Sequence, residues 1–305
     1  MPRISAQAGV EGRGLVLCLL AAVGFGAGAV VGAAALGAGI HLAAFLAARF
    51  ALAAVLLWAL VLRRGTRPSW RAAIAGMLLG GALFAPESGF FFASLGRIDA
   101  SLAALVVYVY PGLVAVGAVA TGRERLTARQ VGSLVVASAG VAIVLAGAGA
   151  GAVDPVGVAL ALGAAVAYAG YVLAGDRVVR AVDPLTLAAL VCTGAAVAFT
   201  GGWAAGGGGA PGGTPLAWAL VGLMGIGCTV VPMAALLGGV HRVGPSTAST
   251  IATAEPLVTA ALAMLVVGER LAPVQWLGAA LVVGAVLALR APRRGPAPVP
   301  VGEAA

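Results

Sequence analysis

Three ionisable side chains lie inside long apolar runs of the sequence: Arg49, Glu87 and Glu255. A charged group at the centre of a bilayer costs about 2.5–3.5 kcal/mol on insertion scales. A position facing lipid is therefore unfavourable, and all three are expected to face the interior of a helical bundle or a wet cavity. For Arg49 the pattern favours a structural role, either an ion pair with Glu87 or bonds to backbone carbonyls.

The two carboxyl groups are candidates for chemistry that involves a proton or an amine. Burial favours the neutral form of a carboxyl group, which allows it to bind and release a proton near physiological pH. Glu255 is therefore expected to bind a substrate amine or a proton, and Glu87 is a second candidate. The alternative for both is a hydrogen-bonded packing role, which for Glu255 would be packing beside Pro256.

Hydroxyl groups accompany these carboxyls in the apolar runs. Tyr168 and Tyr171 are three residues apart and so share one face of a helix. A phenol in an apolar setting needs a hydrogen-bond partner, so these side chains are either substrate contacts or packing residues. The full set of candidate hydroxyls is Tyr108, Tyr110, Tyr168, Tyr171 and Thr253.

Four prolines also fall inside the apolar runs. A proline within a helix removes one backbone hydrogen bond and kinks the helix. In a membrane helix such a kink often marks a hinge or a binding site. Helix kinks are predicted at Pro86, Pro111, Pro232 and Pro256.

Other kinds of chemistry find no support in the residue types. The cysteines Cys18, Cys192 and Cys228 are scattered without disulfide or metal spacing, and His41 and His241 have no ligand partner nearby in sequence. We therefore expect no metal, no cofactor and no enzyme activity. Arginines occur in twos and threes between apolar runs, which does not indicate a nucleic-acid partner.

The elements that position these residues follow from the composition. Of the 305 residues, 62% are hydrophobic and 9% are charged, and the mean hydropathy is +1.09. Too little polar surface remains to cover a water-soluble fold. We predict an all-α integral membrane protein, because a membrane helix satisfies its backbone groups within its own segment. Ten transmembrane helices are expected at 14–35, 41–62, 71–95, 99–121, 127–146, 155–175, 184–203, 215–239, 245–267 and 273–290.

The arginines give the predicted bundle an orientation. Fifteen of the 18 fall at one set of span ends, Arg97 and Arg270 fall at the other, and Arg49 lies within a span. Positive residues concentrate on the cytoplasmic side of membrane proteins. Both termini are therefore expected in the cytoplasm, with 1–13 as an N-terminal segment and 291–305 as a flexible tail.

The two halves of the chain repeat each other. At a spacing of 145 residues, Pro111 falls on Pro256, and Glu124-Arg125-Leu126 falls on Glu269-Arg270-Leu271. Each half holds five predicted spans, and because five is odd, the second half enters the membrane the opposite way round. Two inverted five-helix repeats are typical of secondary transporters, which place the substrate near the midplane between the halves.

The sequence resembles the EamA family of the drug/metabolite transporter superfamily, over two repeats at 14–146 and 155–290. The resemblance is carried by Tyr108-Val109-Tyr110-Pro111 before Glu124-Arg125-Leu126, and by Glu255-Pro256 before Gly268-Glu269-Arg270-Leu271. It departs at Gly24-Phe25-Gly26, where many members have a Trp, so no substrate contact can be carried over there. The resemblance implies movement of small solutes, commonly outward and commonly coupled to protons.

We therefore expect a secondary active transporter that exports a small metabolite, such as an amino acid, a related solute or a drug, by alternating access with proton coupling. Its partners would be the small-molecule substrate and the lipid of the cell membrane. A membrane channel or a non-transporting scaffold is the alternative function. Whether the protein forms a homodimer is left open.

Overall fold

The chain folds into apolar α-helices joined by short loops. The computed structural model describes residues 2–122, 128–147, 153–179 and 182–290. Within these ranges, extended pairing is limited to an isolated bridge between Ile40 and Gly212. The helices are α1 (Pro2–Gly37), α2 (Leu42–Arg64), α3 (Trp70–Leu79), α4 (Ala85–Ser94), α5 (Ala100–Val107), α6 (Tyr110–Ala120), α7 (Ala128–Gly147), α8 (Pro155–Val179), α9 (Pro184–Ala205), α10 (Pro215–Gly225), α11 (Val231–Ala252), α12 (Glu255–Leu262) and α13 (Pro273–Arg290).

Several of these helices, alone or joined across a π turn or a break, are long enough to cross a bilayer. Seven segments of the described chain have the length and hydropathy of a membrane span: Gly12–Gly37, Leu42–Arg64, Trp70–Ser94, Ala100–Ala120, Pro155–Gly175, Pro184–Ala205 and Pro215–Gly244. Three apolar helices are shorter: Val131–Gly147, Glu255–Val267 and Pro273–Ala288. The predicted class, an all-helical multi-pass membrane protein, is confirmed, and seven of the ten expected spans meet this measure in the described residues.

The N-terminal end of the chain differs from the prediction, and the C-terminal end lies outside the described residues. α1 begins at Pro2, well before the expected start of the first span at 14, so most of the N-terminal segment continues the helix. The tail at 291–305 lies outside the described residues. So does the motif Glu124-Arg125-Leu126 of the first half.

Two of the four prolines follow a π-helical turn, a wider turn in which each carbonyl bonds to the fifth residue along. The turn π1 (Gly80–Phe84) precedes α4, in which Pro86 is the second residue. The turn π2 (Ile226–Val230) precedes α11, in which Pro232 is the second residue. π turns are rare and occur mostly inside α-helices at functional sites.

The other two prolines follow a break in the helix. α5 ends at Val107, and Pro111 is the second residue of α6. α11 ends at Ala252, and Pro256 is the second residue of α12. At the start of a helix the missing N–H of proline costs nothing, so the break places each proline where it is tolerated.

The main helix contacts join the first half of the chain to the second. α1 packs on α11, α2 on α9, α4 on α8 and α7 on α13. Glycines allow close contact between α9 and α3 and between α7 and α13: a side chain on Gly194 of α9 would overlap the carbonyl oxygen of Met77 in α3, and one on Gly140 or Gly278 would lie 2.7 or 2.6 Å from the other's carbonyl oxygen. Small residues hold membrane helices together because they allow close van der Waals contact.

The Glu269 carboxylate links the loop before α13 to the start of α5. It accepts a hydrogen bond from the backbone N–H of Ala100 at 2.8 Å and from that of Ser101 at 3.2 Å, and the Ser101 hydroxyl also donates to it. The first N–H groups of a helix lack partners within the helix, and their positive dipole end favours an anion. Glu269 therefore caps a helix that lies far from it in sequence.

Two aspartates at the same end of the bundle have opposite electrostatic surroundings. Arg97 and Asp154 form a salt bridge of 2.8 Å, and the hydrogen bond from Arg97 lowers the pKa of the Asp154 carboxyl. Asp99 precedes α5 beside Glu269, and partial burial together with the Glu269 charge raises the pKa of the Asp99 carboxyl. The loops at this end are thus tied together by specific polar contacts.

Candidate functional site

A cavity of about 550 Å³ lies between the helices of both halves. This volume is within the range of small-molecule sites, which are mostly apolar with a few polar groups. We call it the central cavity. Its polar lining residues include almost every candidate from the sequence: Arg49, Glu87, Tyr108, Tyr110, Tyr168, Tyr171 and Glu255. Thr253 is buried at 4% exposure and is not among the lining residues.

All four tyrosines of the chain meet in the central cavity. The ring centroids of Tyr108 and Tyr110 are 5.9 Å apart, those of Tyr110 and Tyr168 are 4.5 Å apart, and those of Tyr168 and Tyr171 are 5.8 Å apart. The rings form a continuous aromatic wall contributed by α8 and by the break between α5 and α6. Such a wall offers apolar contact to a ligand and, at its edges, hydroxyl groups.

The Tyr108 hydroxyl connects the two helix breaks. It donates to the carbonyl oxygen of Ala252 at 2.9 Å and lies 3.3 Å from Glu255 Oε2. Ala252 is four residues before Pro256, so its carbonyl would have bonded to the N–H that proline lacks. The proline that opens α12 therefore creates the acceptor that holds Tyr108 beside Glu255.

Glu87 enters the cavity from the first turn of α4, directly after π1 and Pro86. Its Oε2 atom accepts a hydrogen bond of 2.9 Å from the Ser88 hydroxyl. Phe84, the last residue of π1, packs against Tyr171 with ring centroids 5.1 Å apart. The π turn thus places a carboxylate next to the tyrosine wall.

Arg49 does not form the predicted ion pair with Glu87. In the described part of the chain the only salt bridge is that between Arg97 and Asp154. Arg49 instead donates from Nε to the Thr229 hydroxyl at 3.2 Å. Sequence spacing could not indicate this partner, because Thr229 is 180 residues away and is brought to Arg49 by the π2 turn.

Sequence reasoning missed several other residues of the cavity. Ser88, Phe92, Cys192, Cys228 and Thr229 all line it. Thr229 lies three residues before Pro232 in an apolar run, and this proximity to a helix kink was the signal that could have identified it. In the residues that the structure describes, no group of three or more His, Cys, Asp or Glu side chains could hold a metal ion.

The central cavity extends much further toward one end of the bundle than toward the other. Along α9 and α11 its lining reaches Pro184, the first residue of α9, and Val240, four residues before Gly244, where the backbone of α11 leaves helical geometry. In the opposite direction it stops at Ala29, Phe92 and Ala104. The latter end is the one at which Glu269 and Arg97 tie the loops together.

Comparisons with known proteins give this arrangement a context. The sequence model of the EamA-like transporter family matches residues 12–146 and 155–291. A Bacillus subtilis (strain 168) protein called uncharacterized transporter YwfM is 30% identical over 156 residues, which are 47% of this chain and 48% of that protein. The chain therefore spans about half the length of the curated relative that it matches.

A protein crystal structure has a similar fold. The match covers 92% of this chain and 97% of that chain, with a TM-score of 0.64 and 20% sequence identity. At this identity the likeness concerns the fold alone.

Proposed function

Because the chain belongs to the EamA-like transporter family, we propose that it is a secondary active transporter that exports a small metabolite by alternating access coupled to protons. The observation that carries the proposal is the central cavity, in which two carboxyl groups, an arginine and four tyrosines meet inside a membrane-spanning bundle. Ionisable groups within membrane helices are costly and mark substrate or proton pathways.

We also propose that the two halves of the chain form an inverted repeat, because several features recur in both halves. The turns π1 and π2 begin 146 residues apart, at Gly80 and Ile226, and each leads into a proline at the next helix's second position. The contact of α1 with α11 has its counterpart in that of α8 with α4. Transporters with inverted repeats bind substrate between the halves, beside discontinuous helices.

We propose that the central cavity opens toward the cytoplasm of the cell. The distribution of arginines supports a cytoplasmic position for the end of the bundle at which Val240 lines the cavity. The opposite end is held by the Glu269 cap and the Arg97 salt bridge. The cell membrane is the proposed location, with both termini inside.

Proton coupling is assigned to Glu255, with Glu87 as the second titrating group. Glu255 stands at a break between two helical segments and beside the Tyr108 hydroxyl. When Glu255 gains or loses a proton, the donor of the hydrogen bond between the Tyr108 hydroxyl and the Glu255 carboxyl can change. The helix break allows the two helical segments to move relative to each other in response. Substrate and proton would then compete for the same carboxyl.

A channel, a scaffold or an enzyme is less well supported. A channel requires a continuous polar path, whereas the lining of the central cavity stops at Phe92 and Ala104 on one side. A scaffold gives no reason to collect both carboxyl groups in one cavity. Membership of a transporter family argues against an enzyme.

Transport assays in proteoliposomes test the proposal. Purified protein is reconstituted, a pH gradient is imposed, and uptake of amino acids, nucleosides, polyamines and drugs is measured. We expect gradient-driven transport by the wild type, and loss of its proton dependence in Glu255→Gln. Asp154→Asn, which changes an exposed carboxyl outside the cavity, is the matched control and should transport normally.

Two results would contradict the proposal. A solute flux that does not saturate with substrate concentration and does not depend on the pH gradient would indicate a channel. Normal transport with unchanged proton dependence in Glu255→Gln would remove Glu255 from the coupling mechanism.

A further inference from the structure

Four arginines lie close together where α2 ends and α3 begins. Arg63 and Arg64 are the last residues of α2, Arg67 lies in the loop that follows, and Arg71 is the second residue of α3. All four are exposed, and no salt bridge in the described residues includes any of them. Four cations within nine residues therefore form a positively charged surface at the end of two apolar helices.

An apolar stripe on α3 begins next to this charge. Trp70, Ile74 and Leu78 follow one another at intervals of four residues and so share one face of the helix, where they are 69%, 49% and 62% exposed. The opposite face of α3 is occupied, because Gly76 and Leu79 are buried against α9. In a membrane-embedded bundle the exposed stripe faces lipid, and it leads from the charged loop into the apolar layer.

Trp70 and Arg71 join the charged surface to the apolar stripe. The guanidinium carbon of Arg71 lies 5.4 Å from the centre of the Trp70 ring, which is within the range of a cation–π contact. Tryptophan is enriched at the level of the lipid headgroups because its ring is apolar and its N–H is polar. The pair therefore marks the depth at which a lipid phosphate would lie beside the arginines.

The loop between α2 and α3 has a defined shape. Gly65 ends α2 with a left-handed backbone at φ 69°, and the Ser69 hydroxyl caps the start of α3. Between them, the Thr66 hydroxyl lies 3.4 Å from the Thr186 hydroxyl in the first turn of α9. The arginines thus extend from a loop that is attached to three helices, which lowers the entropy cost of binding a ligand there.

The combination of charge and apolar surface selects the kind of ligand. A phosphate group accepts hydrogen bonds from guanidinium groups in a favourable geometry. Phosphatidylglycerol has a net negative charge, whereas phosphatidylcholine carries a cation that compensates its own phosphate. Inorganic phosphate could meet the arginines but would leave the apolar stripe without a partner.

We propose that the loop between α2 and α3 is a binding site for an anionic phospholipid. Arg67 and Arg71 hold the phosphate, and the two arginines at the end of α2 add to the attraction. An acyl chain lies along the exposed stripe of α3. Such binding requires only that the chain is embedded in a bilayer, so it does not depend on the proposed transport.

Quenching of tryptophan fluorescence by brominated lipids tests the proposal on the full-length protein in bilayers. The bilayers contain phosphatidylcholine and phosphatidylglycerol, with bromine on the acyl chains of one lipid at a time. The difference between the wild type and Trp70→Phe gives the quenching at Trp70. We expect phosphatidylglycerol to bind beside Trp70 at least about fivefold more tightly than phosphatidylcholine, which is the effect of about one arginine at a membrane surface. High salt should reduce this preference.

Variants assign the preference to the arginines, and each is measured with and without Trp70→Phe. Arg67→Gln combined with Arg71→Gln should bind the two lipids equally, whereas lysine at both positions should keep part of the preference. Arg13→Gln combined with Arg270→Gln is the matched control, because it removes two exposed arginines outside the loop and should keep the wild-type ratio. If the double glutamine variant does not fold, Arg71→Gln alone is used and should lower the ratio.

A soluble anion is the other source of phosphate, and thermal unfolding in detergent distinguishes the two. Phosphatidylglycerol should raise the midpoint of unfolding, and inorganic phosphate at the same concentration should not. Equal stabilisation by the two would show that the loop binds a free anion and would overturn the proposal. Equal binding of both lipids beside Trp70 in the wild type, or loss of the preference in the control variant, would overturn it as well.

Discussion

At the scale of single residues, the polar groups of this protein act through partners that are distant in sequence. Tyr108 reaches the Ala252 carbonyl, Arg49 reaches Thr229, and Glu269 reaches Ser101. In each case one side chain satisfies a group that a helix cannot satisfy internally or that lipid would leave unpaired. Because such groups are costly in a bilayer, every one of these contacts also determines how two segments are positioned.

The Glu269 cap provides a prediction at this scale. Glu269→Ala removes the acceptor from two backbone N–H groups and one hydroxyl, and loss of a helix cap costs about 0.5–2 kcal/mol. We expect a lower midpoint of thermal unfolding in detergent, with Glu269→Gln between the wild type and the alanine variant because an amide oxygen can still accept. Equal midpoints for the wild type and Glu269→Ala would show that the cap contributes nothing to stability.

At the scale of elements, prolines and glycines determine the geometry of the bundle. Pro86 and Pro232 follow π turns, and Pro111 and Pro256 follow breaks, so four of the helical segments that line the cavity are discontinuous. These irregularities place Glu87, Thr229, Tyr108 and Glu255 at the cavity. Glycines such as Gly194 allow close contact between helices of the two halves.

Gly194 tests the role of close packing. Its hydrogen faces the Met77 carbonyl oxygen, and a methyl group there would overlap that oxygen. Overpacking of this kind costs about 1–3 kcal/mol, so Gly194→Ala should lower the midpoint of thermal unfolding. Gly201→Ala is the matched control on the same helix, because nothing lies within 4 Å of the added carbon, and it should unfold as the wild type does. The prediction is wrong if the two variants unfold at the same temperature.

At the scale of the whole molecule, the pairing of helices from opposite halves gives the cavity two unequal ends. The lining of the central cavity reaches Val240 on one side and stops at Phe92 on the other. A carrier that alternates between two states needs this asymmetry to reverse. The contacts of Glu269 and Arg97 are those that would have to break for the closed end to open.

Cysteine accessibility tests the direction in which the cavity faces. In a background in which Cys18, Cys192 and Cys228 are replaced by alanine, Leu237→Cys introduces one thiol into the cavity lining. A membrane-impermeant thiol reagent should label it in inside-out vesicles and not in right-side-out vesicles. Ala210→Cys, in the exposed loop between α9 and α10, should show the opposite pattern. Labelling of both thiols from the same side would contradict the proposed orientation.

The sequence by itself was sufficient for the class of fold and for naming most of the polar residues that line the central cavity. Hydropathy determines that the chain spans a membrane, because apolar segments of this length have no other environment in which they are satisfied. The cost of a charge in lipid singles out Arg49, Glu87 and Glu255 without any knowledge of their partners. Proline chemistry similarly indicates where the helices are discontinuous.

Only the tertiary structure decided which groups face each other. The spacing along the chain suggested that Arg49 pairs with Glu87, but the π2 turn rotates Thr229 toward Arg49 and leaves Nη1 without an acceptor. Hydrogen bonds act over about 3 Å, whereas sequence patterns place a side chain only to within a helical turn. The choice between an internal ion pair and a site open to a ligand therefore depends on packing between halves of the chain that the sequence places 180 residues apart.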